Sequence, residues 1–186
     1  MKLFDTVLDE HIDVVNASRA VLSAPMKAAF ERSQAALQAD GAILICGNGG
    51  SAADAQHFAA ELVGRYEKER RALRAIALTT DTSNLTAIGN DYGYEHIFSR
   101  QVAALGRRGD VLIAISTSGN SANIVLAAET ARNLGMGVIA MTGEGGGRLG
   151  EISDVLLAVP CGRTARVQEV HELCLHTLAQ ALEDDA

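Results

Sequence analysis

The chain has no tryptophan and only 4% aromatic residues, while 48% of it is hydrophobic, so its core has to be built from Ala, Leu, Val and Ile. Cysteine is scarce too. Cys46, Cys161 and Cys174 are odd in number and form no C-x-x-C pair, which argues against a disulfide framework or a thiolate zinc site and fits reduced thiols. Basic residues are outnumbered, 16 Lys and Arg against 23 Asp and Glu, and the net charge of −7 repels a phosphate backbone. No direct nucleic-acid partner is expected. No apolar run approaches the roughly 18 residues of a spanning helix, and the start, "MKLFDTVLDEHID", turns acidic within five positions without an apolar signal region. We therefore expect a cytoplasmic protein with no membrane partner.

What the sequence does contain is alternation. Its 186 residues suit one domain, 1–186. Residues 1–40 read as two amphipathic helices, "FDTVLDEHIDVVNASRAVL" and, after "SAP", "MKAAFERSQAALQAD", with Pro25 starting the second and Gly41 beyond its end. These helices are apolar on one face and lie outside the remaining pattern, which suggests packing against other subunits as well as their own sheet. From 41 to 186, five short runs are apolar at nearly every position: "AILIC" (42–46), "RAIAL" (74–78), "DVLIAIS" (110–116), "GVIAM" (137–141) and "DVLLAVP" (154–160). Such runs read as parallel strands covered on both faces. Helical segments separate them, so the expected fold is α/β: a three-layer α/β/α sandwich around a five-stranded parallel sheet, preceded by the N-terminal helices. The glycine-rich "GEGGGRLG" reads as a flexible turn, and "EKERR" (67–71) as a solvated charged face.

Ligands of such folds sit beyond the carboxyl ends of the strands, and two loops there are suggestive. "ISTSGNSAN" (115–123) runs from a strand into a helix start, where free N–H groups and the hydroxyls of Ser116, Thr117, Ser118 and Ser121 suit a phosphate; an ordinary Ser/Thr cap and turn is the alternative. "GNGGS" (47–51) repeats the design, with Asn48 able to donate and accept and Ser51 able to cap the next helix. It does not match G-x-G-x-x-G, and no loop carries the P-loop lysine. Two such loops on neighbouring strands would shape one polar pocket.

His57 and Glu61 are four apart, about 40° around a helix axis, which is ligand spacing as well as that of a surface pair. On the final helix Gln168, Glu172 and His176 form a polar stripe, with Leu173, Leu175 and Leu178 available for packing. Gln168 and His176 stand about 12 Å apart along that helix, so they share one ion only if both lean inward. Otherwise they belong to sites in different copies, or Glu172 is the ligand.

Together, "CGNGGSAADAQHFAAELVGRY", "TAIGNDYGYEHIFSRQV", "GDVLIAISTSGNSANI" and "RVQEVHELCLH" resemble the bacterial phosphoheptose isomerases of the sugar isomerase (SIS) superfamily, over about residues 40–178. The resemblance implies a flavodoxin-like SIS fold and conversion of sedoheptulose 7-phosphate to D-glycero-D-manno-heptose 7-phosphate, the entry to ADP-heptose and lipopolysaccharide core synthesis. It further implies a cytoplasmic homotetramer with one Zn²⁺ per subunit on His57, Glu61, Gln168 and His176. The substrate contacts it implies are Asn48, Gly49, Gly50, Ser51, Asn90, Asp91, Ser116, Thr117, Ser118, Ser121 and Gln168. For an enediol route, Glu61 is the candidate base and His176 the candidate acid or proton shuttle. A zinc-bound carboxylate is a poorer base, so ligation and proton abstraction by Glu61 pull in different directions.

The same superfamily offers an alternative, a non-catalytic regulator binding the replication initiator protein, whose "ARIQE" resembles "ARVQE" here. Some isomerases place aspartate where this chain has Ala165. Against the regulator stand Glu61 and His176, both of which it lacks; a sensor that binds sugar phosphate without turnover leaves the His57/Glu61 pair unexplained.

Overall fold

The computed structural model of the chain describes residues 1–185. Five strands, β1 (Ile43–Gly47), β2 (Ala75–Ala77), β3 (Val111–Ile115), β4 (Gly137–Thr142) and β5 (Val155–Ala158), pair in parallel in the order β2-β1-β3-β4-β5. Each strand lies within two residues of an apolar run in the sequence. Every residue of β1, β3 and β4 is buried, because helices cover both faces.

Alternation along the strands divides the core. Ile43, Ile45, Ile113, Ile139 and Met141 face one way, toward α1 (Lys2–Gln38), α2 (Gly50–Val63) and α7 (Thr164–Asp184). Leu44, Leu112, Ala114, Val138 and Ala140 face the other, toward α4 (Ser99–Leu105), α5 (Ala122–Asn133) and α6 (Gly147–Ile152). Asp110, 4% exposed, ties the starts of β1 and β3: its two carboxylate oxygens accept from the N–H groups of Ala42 and Arg107.

Several local expectations are corrected. The first forty residues form one helix, α1, with Pro25 inside it. Proline removes the bond to the carbonyl four residues back, that of Val21; Val21 is exposed, so water can serve that carbonyl, while Leu22 and Ala29 pin both flanks to the core. The segment before β3 divides at Gly93, where φ is +95°, into α3 (Thr82–Tyr92), a 3₁₀ turn at Tyr94–His96, and α4. "GEGGGRLG" runs into α6, anchored by the fully buried Leu149. Ser51 lies within α2, whose N-cap is Gly49, so it does not cap that helix. On α7, Leu175 and Leu178 are buried but Leu173 is exposed.

Candidate active site

The loops after β1 and β3 meet because those strands are neighbours. Between them lies a cleft of about 250 Å³, bounded by Asn48, Gly49, Gly50 and Ser51 on one side and Ser116, Thr117 and Ser121 on the other. Thr164 and Gln168 of α7 close it. Ser121 begins α5, so unpaired N–H groups and the positive end of the helix dipole face a lining of hydroxyls. Ser116 donates to Ser121 Oγ at 3.1 Å, and Ser118 Oγ accepts from the Asn120 N–H, giving the loop its shape. At Gly119 the backbone has φ +67°, and a Cβ there would stand 2.1 Å from the Gly146 carbonyl oxygen. Gly119→Ala is therefore expected to cost about 2 kcal/mol of stability, from left-handed backbone and overlap. By displacing the serine loop it should also raise KM for a phosphorylated ligand more than it lowers kcat. Thermal unfolding and steady-state kinetics would check both effects.

Asn48 is held by a residue that the sequence reading did not single out. Its amide exchanges two hydrogen bonds, each 2.9 Å, with the amide of Asn123, and its Oδ1 also accepts from the Tyr94 hydroxyl at 3.1 Å. Asn123 is 3% exposed and lies on the stripe of α5 that buries Ala127 and Ala131; a polar residue on an apolar stripe was the available signal. Asn90 and Asp91 lie at the end of α3, exposed and bonded to each other, and neither lines the cleft.

The second half of the site is the seam between α2 and α7. Phe58 and Leu62 of α2 point into the core, which leaves Asp54, His57 and Glu61 for the other face. The helices run parallel and in step: a Cβ on Gly50 would stand 2.7 Å from the Gln168 amide, and two turns on, His57 Nε2 lies 2.8 Å from His176 Nε2. Glu172 Oε1 is 3.2 Å from His57 Nε2 and 3.1 Å from His176 Nε2. Glu61 Oε1 stands 3.5 Å from His57 Nε2.

Two of the four predicted ligands, His57 and His176, meet in a cluster with Glu172, and the other two, Glu61 and Gln168, stand outside it. Donor atoms of His57, Glu172 and His176 all lie within 4.8 Å of one another. Glu61 borders this group, and Gln168 stands at the cleft between the two loops. Two imidazoles and a carboxylate suit a borderline divalent cation such as zinc. The charge balance agrees. Asp54 has a buried Oδ2 without a hydrogen-bond partner, and its carboxyl is pushed up to about 6, first by burial and then by Glu172, with His57 opposing. Three carboxylates around two imidazoles leave room for added positive charge.

A larger concavity, about 740 Å³, opens at the other end of the sheet, against the starts of β3, β4 and β5. Its acids are already committed: Asp110 to two N–H groups, and Asp154 to the Val138 N–H with Arg32 beside it. Chemistry belongs to the smaller cleft, whose unpartnered donors lie at one end of the seam that carries the titratable cluster.

Comparison with known proteins gives the family. The SIS domain family matches residues 8–143. The phosphoheptose isomerase of Neisseria meningitidis serogroup A is 56% identical over 177 residues, covering 94% of this chain and 90% of that protein. That of Bordetella avium is 59% identical over 169 residues, covering 89% and 86%. The solved phosphoheptose isomerase structure from Neisseria gonorrhoeae superposes with a TM-score of 0.94 at 50% identity, covering 98% of each chain. In sequence and in fold, over nearly its whole length, this chain belongs to the phosphoheptose isomerase family of SIS-domain proteins.

Proposed function

We propose that the protein is an aldose–ketose isomerase interconverting sedoheptulose 7-phosphate and D-glycero-D-manno-heptose 7-phosphate, the first step toward ADP-heptose and the lipopolysaccharide core. The observation that carries this reading is the junction of two chemistries along one helix seam, an anion cleft at Gln168 and an acid–base cluster at His176. The phosphate sits against Ser116, Thr117, Ser118, Ser121 and the backbone of Asn48, Gly49, Gly50 and Ser51, holding the other end of the sugar toward α2 and α7. Gln168 orients sugar hydroxyls; Asn90 and Asp91, which lie outside the cleft of this subunit, carry no role in it. Glu61 removes the proton beside the carbonyl, an enediol forms, and a proton returns to the neighbouring carbon, with His176 as its shuttle in the state in which Nε2 does not hold the metal.

His57 and His176 would hold a zinc ion together with a carboxylate, and its chemistry when bound is to polarise the sugar carbonyl. The ligand set implied by the family resemblance adds Glu61 and Gln168 to the two histidines. The separations of 3.2 and 3.1 Å favour Glu172 as the carboxylate, which leaves Glu61 unligated and more basic. Glu172→Gln is then expected to weaken zinc binding about 10- to 100-fold, read by competition with a chromogenic chelator. Unchanged affinity would return the ligand role to Glu61.

The setting is the cytoplasm and the assembly a homotetramer; Leu3, Phe4, Leu8 and Ile12 of α1 lie exposed and available to other copies. The deciding experiment offers sedoheptulose 7-phosphate to the zinc-loaded protein and follows the aldose product by NMR. Turnover supports the isomerase. Its absence, with capture of purified replication initiator protein, would replace it by the regulator.

A further inference from the structure

The charged run Glu67–Arg71 is not uniformly solvated. The Arg70 side chain is 5% exposed and that of Glu183, on the last turn of α7, 1%. Glu183 accepts three consecutive backbone N–H bonds, from Tyr66 and Glu67 at 2.8 Å and from Lys68 at 2.6 Å. Burial alone would raise the carboxyl pKa of Glu183, but these bonds and Arg70 hold it below the usual range. Arg70 spans the same loop from the other side: Nη2 donates to the Glu61 carbonyl at 2.6 Å and Nη1 to that of Gly64 at 2.7 Å. The segment after α2 is thereby fastened both to the helix that carries Glu61 and to the helix that carries His176.

That fastening delivers one aromatic ring. Tyr66, whose own N–H is gripped by Glu183, places its ring 5.6 Å from the His176 ring at a 43° tilt. The other ring beside that imidazole is His57, edge-on at 5.0 Å and 74°. An imidazole that must present Nε2 is ordinarily oriented by a hydrogen bond on its other nitrogen. His176 has no such bond on Nδ1 among the described residues, so packing against a ring face takes its place. Glu183 lies seven residues beyond His176, two turns on and on the same face of α7; clamp and imidazole therefore share one rigid frame.

We propose that Tyr66, set by the Glu183 clamp, is a positioning residue for His176 in the isomerase reaction. The inference rests on the isomerase reading of the site and adds the group that holds the proton-transfer imidazole in place. Its test compares Tyr66→Leu, Tyr66→Met and Tyr66→Phe with the parent, by kinetics on sedoheptulose 7-phosphate and by imidazole ¹⁵N–¹H NMR of the metal-free proteins. Loss of the ring is expected to lower kcat about tenfold with KM within about twofold, while phenylalanine stays within about twofold of the parent in both. The His176 resonances should move toward free-histidine values in the Leu and Met variants and stay in place in the Phe variant. Methionine fills similar volume without a planar face and covers the case in which leucine does not fold. Parent-like kcat and unmoved His176 resonances in the ring-less variants, or equal losses in all three, would overturn the inference while parent turnover left the isomerase standing. A parent without turnover would sink the isomerase, and the NMR comparison would still decide whether Tyr66 orients the imidazole.

Discussion

Glu61→Gln is expected to lower kcat about 10³-fold with KM for the sugar phosphate nearly unchanged, since a positioned base contributes about 10² to 10⁴ and glutamine keeps the shape without the basicity. The side chain is 19% exposed and its nearest imidazole nitrogen is 3.5 Å away, beyond a good hydrogen bond. Its backbone is fixed by Arg70, so the substitution should leave the seam in place. Two measurements separate a base from a ligand. Exchange of the substrate's C1 or C2 hydrogen with deuterated solvent should stop in the variant, while zinc content stays near that of the parent. Loss of exchange together with loss of zinc would make Glu61 a ligand first. Persistent exchange would move the base elsewhere, Asp54 and Glu172 being the remaining carboxylates at the seam.

The three central strands were readable because burial on both faces leaves β1, β3 and β4 almost no polar residue; the edge strand β2, with Ile76 exposed, is covered less than its apolar run suggests. Helix ends were harder. "SAP" reads locally as a break, yet α1 runs through it, because the cost of one lost backbone bond at an exposed carbonyl is smaller than the gain from Leu22 and Ala29 packing on the same side. Three successive glycines, Gly145, Gly146 and Gly147, all with positive φ, read as a turn. The short helix that begins at the last of them depends on Leu149 meeting the core, a tertiary fact.

The site divides the same way. Spacing of four residues put His57 beside Glu61 and aligned Gln168, Glu172 and His176, because one-helix geometry follows from sequence. Which turn of α2 faces which turn of α7 does not. The parallel alignment sets Gln168 against Gly50 and so at the cleft, while Glu172 moves between the imidazoles. Arg70 and Tyr66 were hidden for a related reason. Inside a charged run nothing local marks the one guanidinium that turns inward, and the carboxylate opposite it lies more than a hundred residues away.

His171 should give this fold an acid limit that the active site does not explain. The ring is fully buried on α7, and its Nε2–H donates to the Thr142 carbonyl at 3.0 Å, pinning α7 to the end of β4. That bond fixes the tautomer and leaves Nδ1 buried with no partner. Protonation would place a charge and an unpaired N–H in the core, and burial accordingly pushes the pKa down to about 4, against the opposing pull of the Thr142 carbonyl. The unfolded chain binds this proton near pH 6.5 and the folded chain only near 4, so the neutral ring's contribution is complete above about 6.5 and is lost as pH falls through 4. The difference corresponds to about 3 kcal/mol. Asp54 works in the opposite direction over part of this range, because its carboxyl is raised to about 6 and its protonation favours the folded state. The parent's own pH curve therefore blends two slopes, and the informative quantity is the difference between parent and His171→Gln. Urea unfolding of both, with chelator present, should show the parent's advantage shrinking by about 3 kcal/mol between pH 7 and pH 4. Parallel curves would mean that the folded protein protonates this ring as readily as the unfolded chain does, with room in the core for a second acceptor.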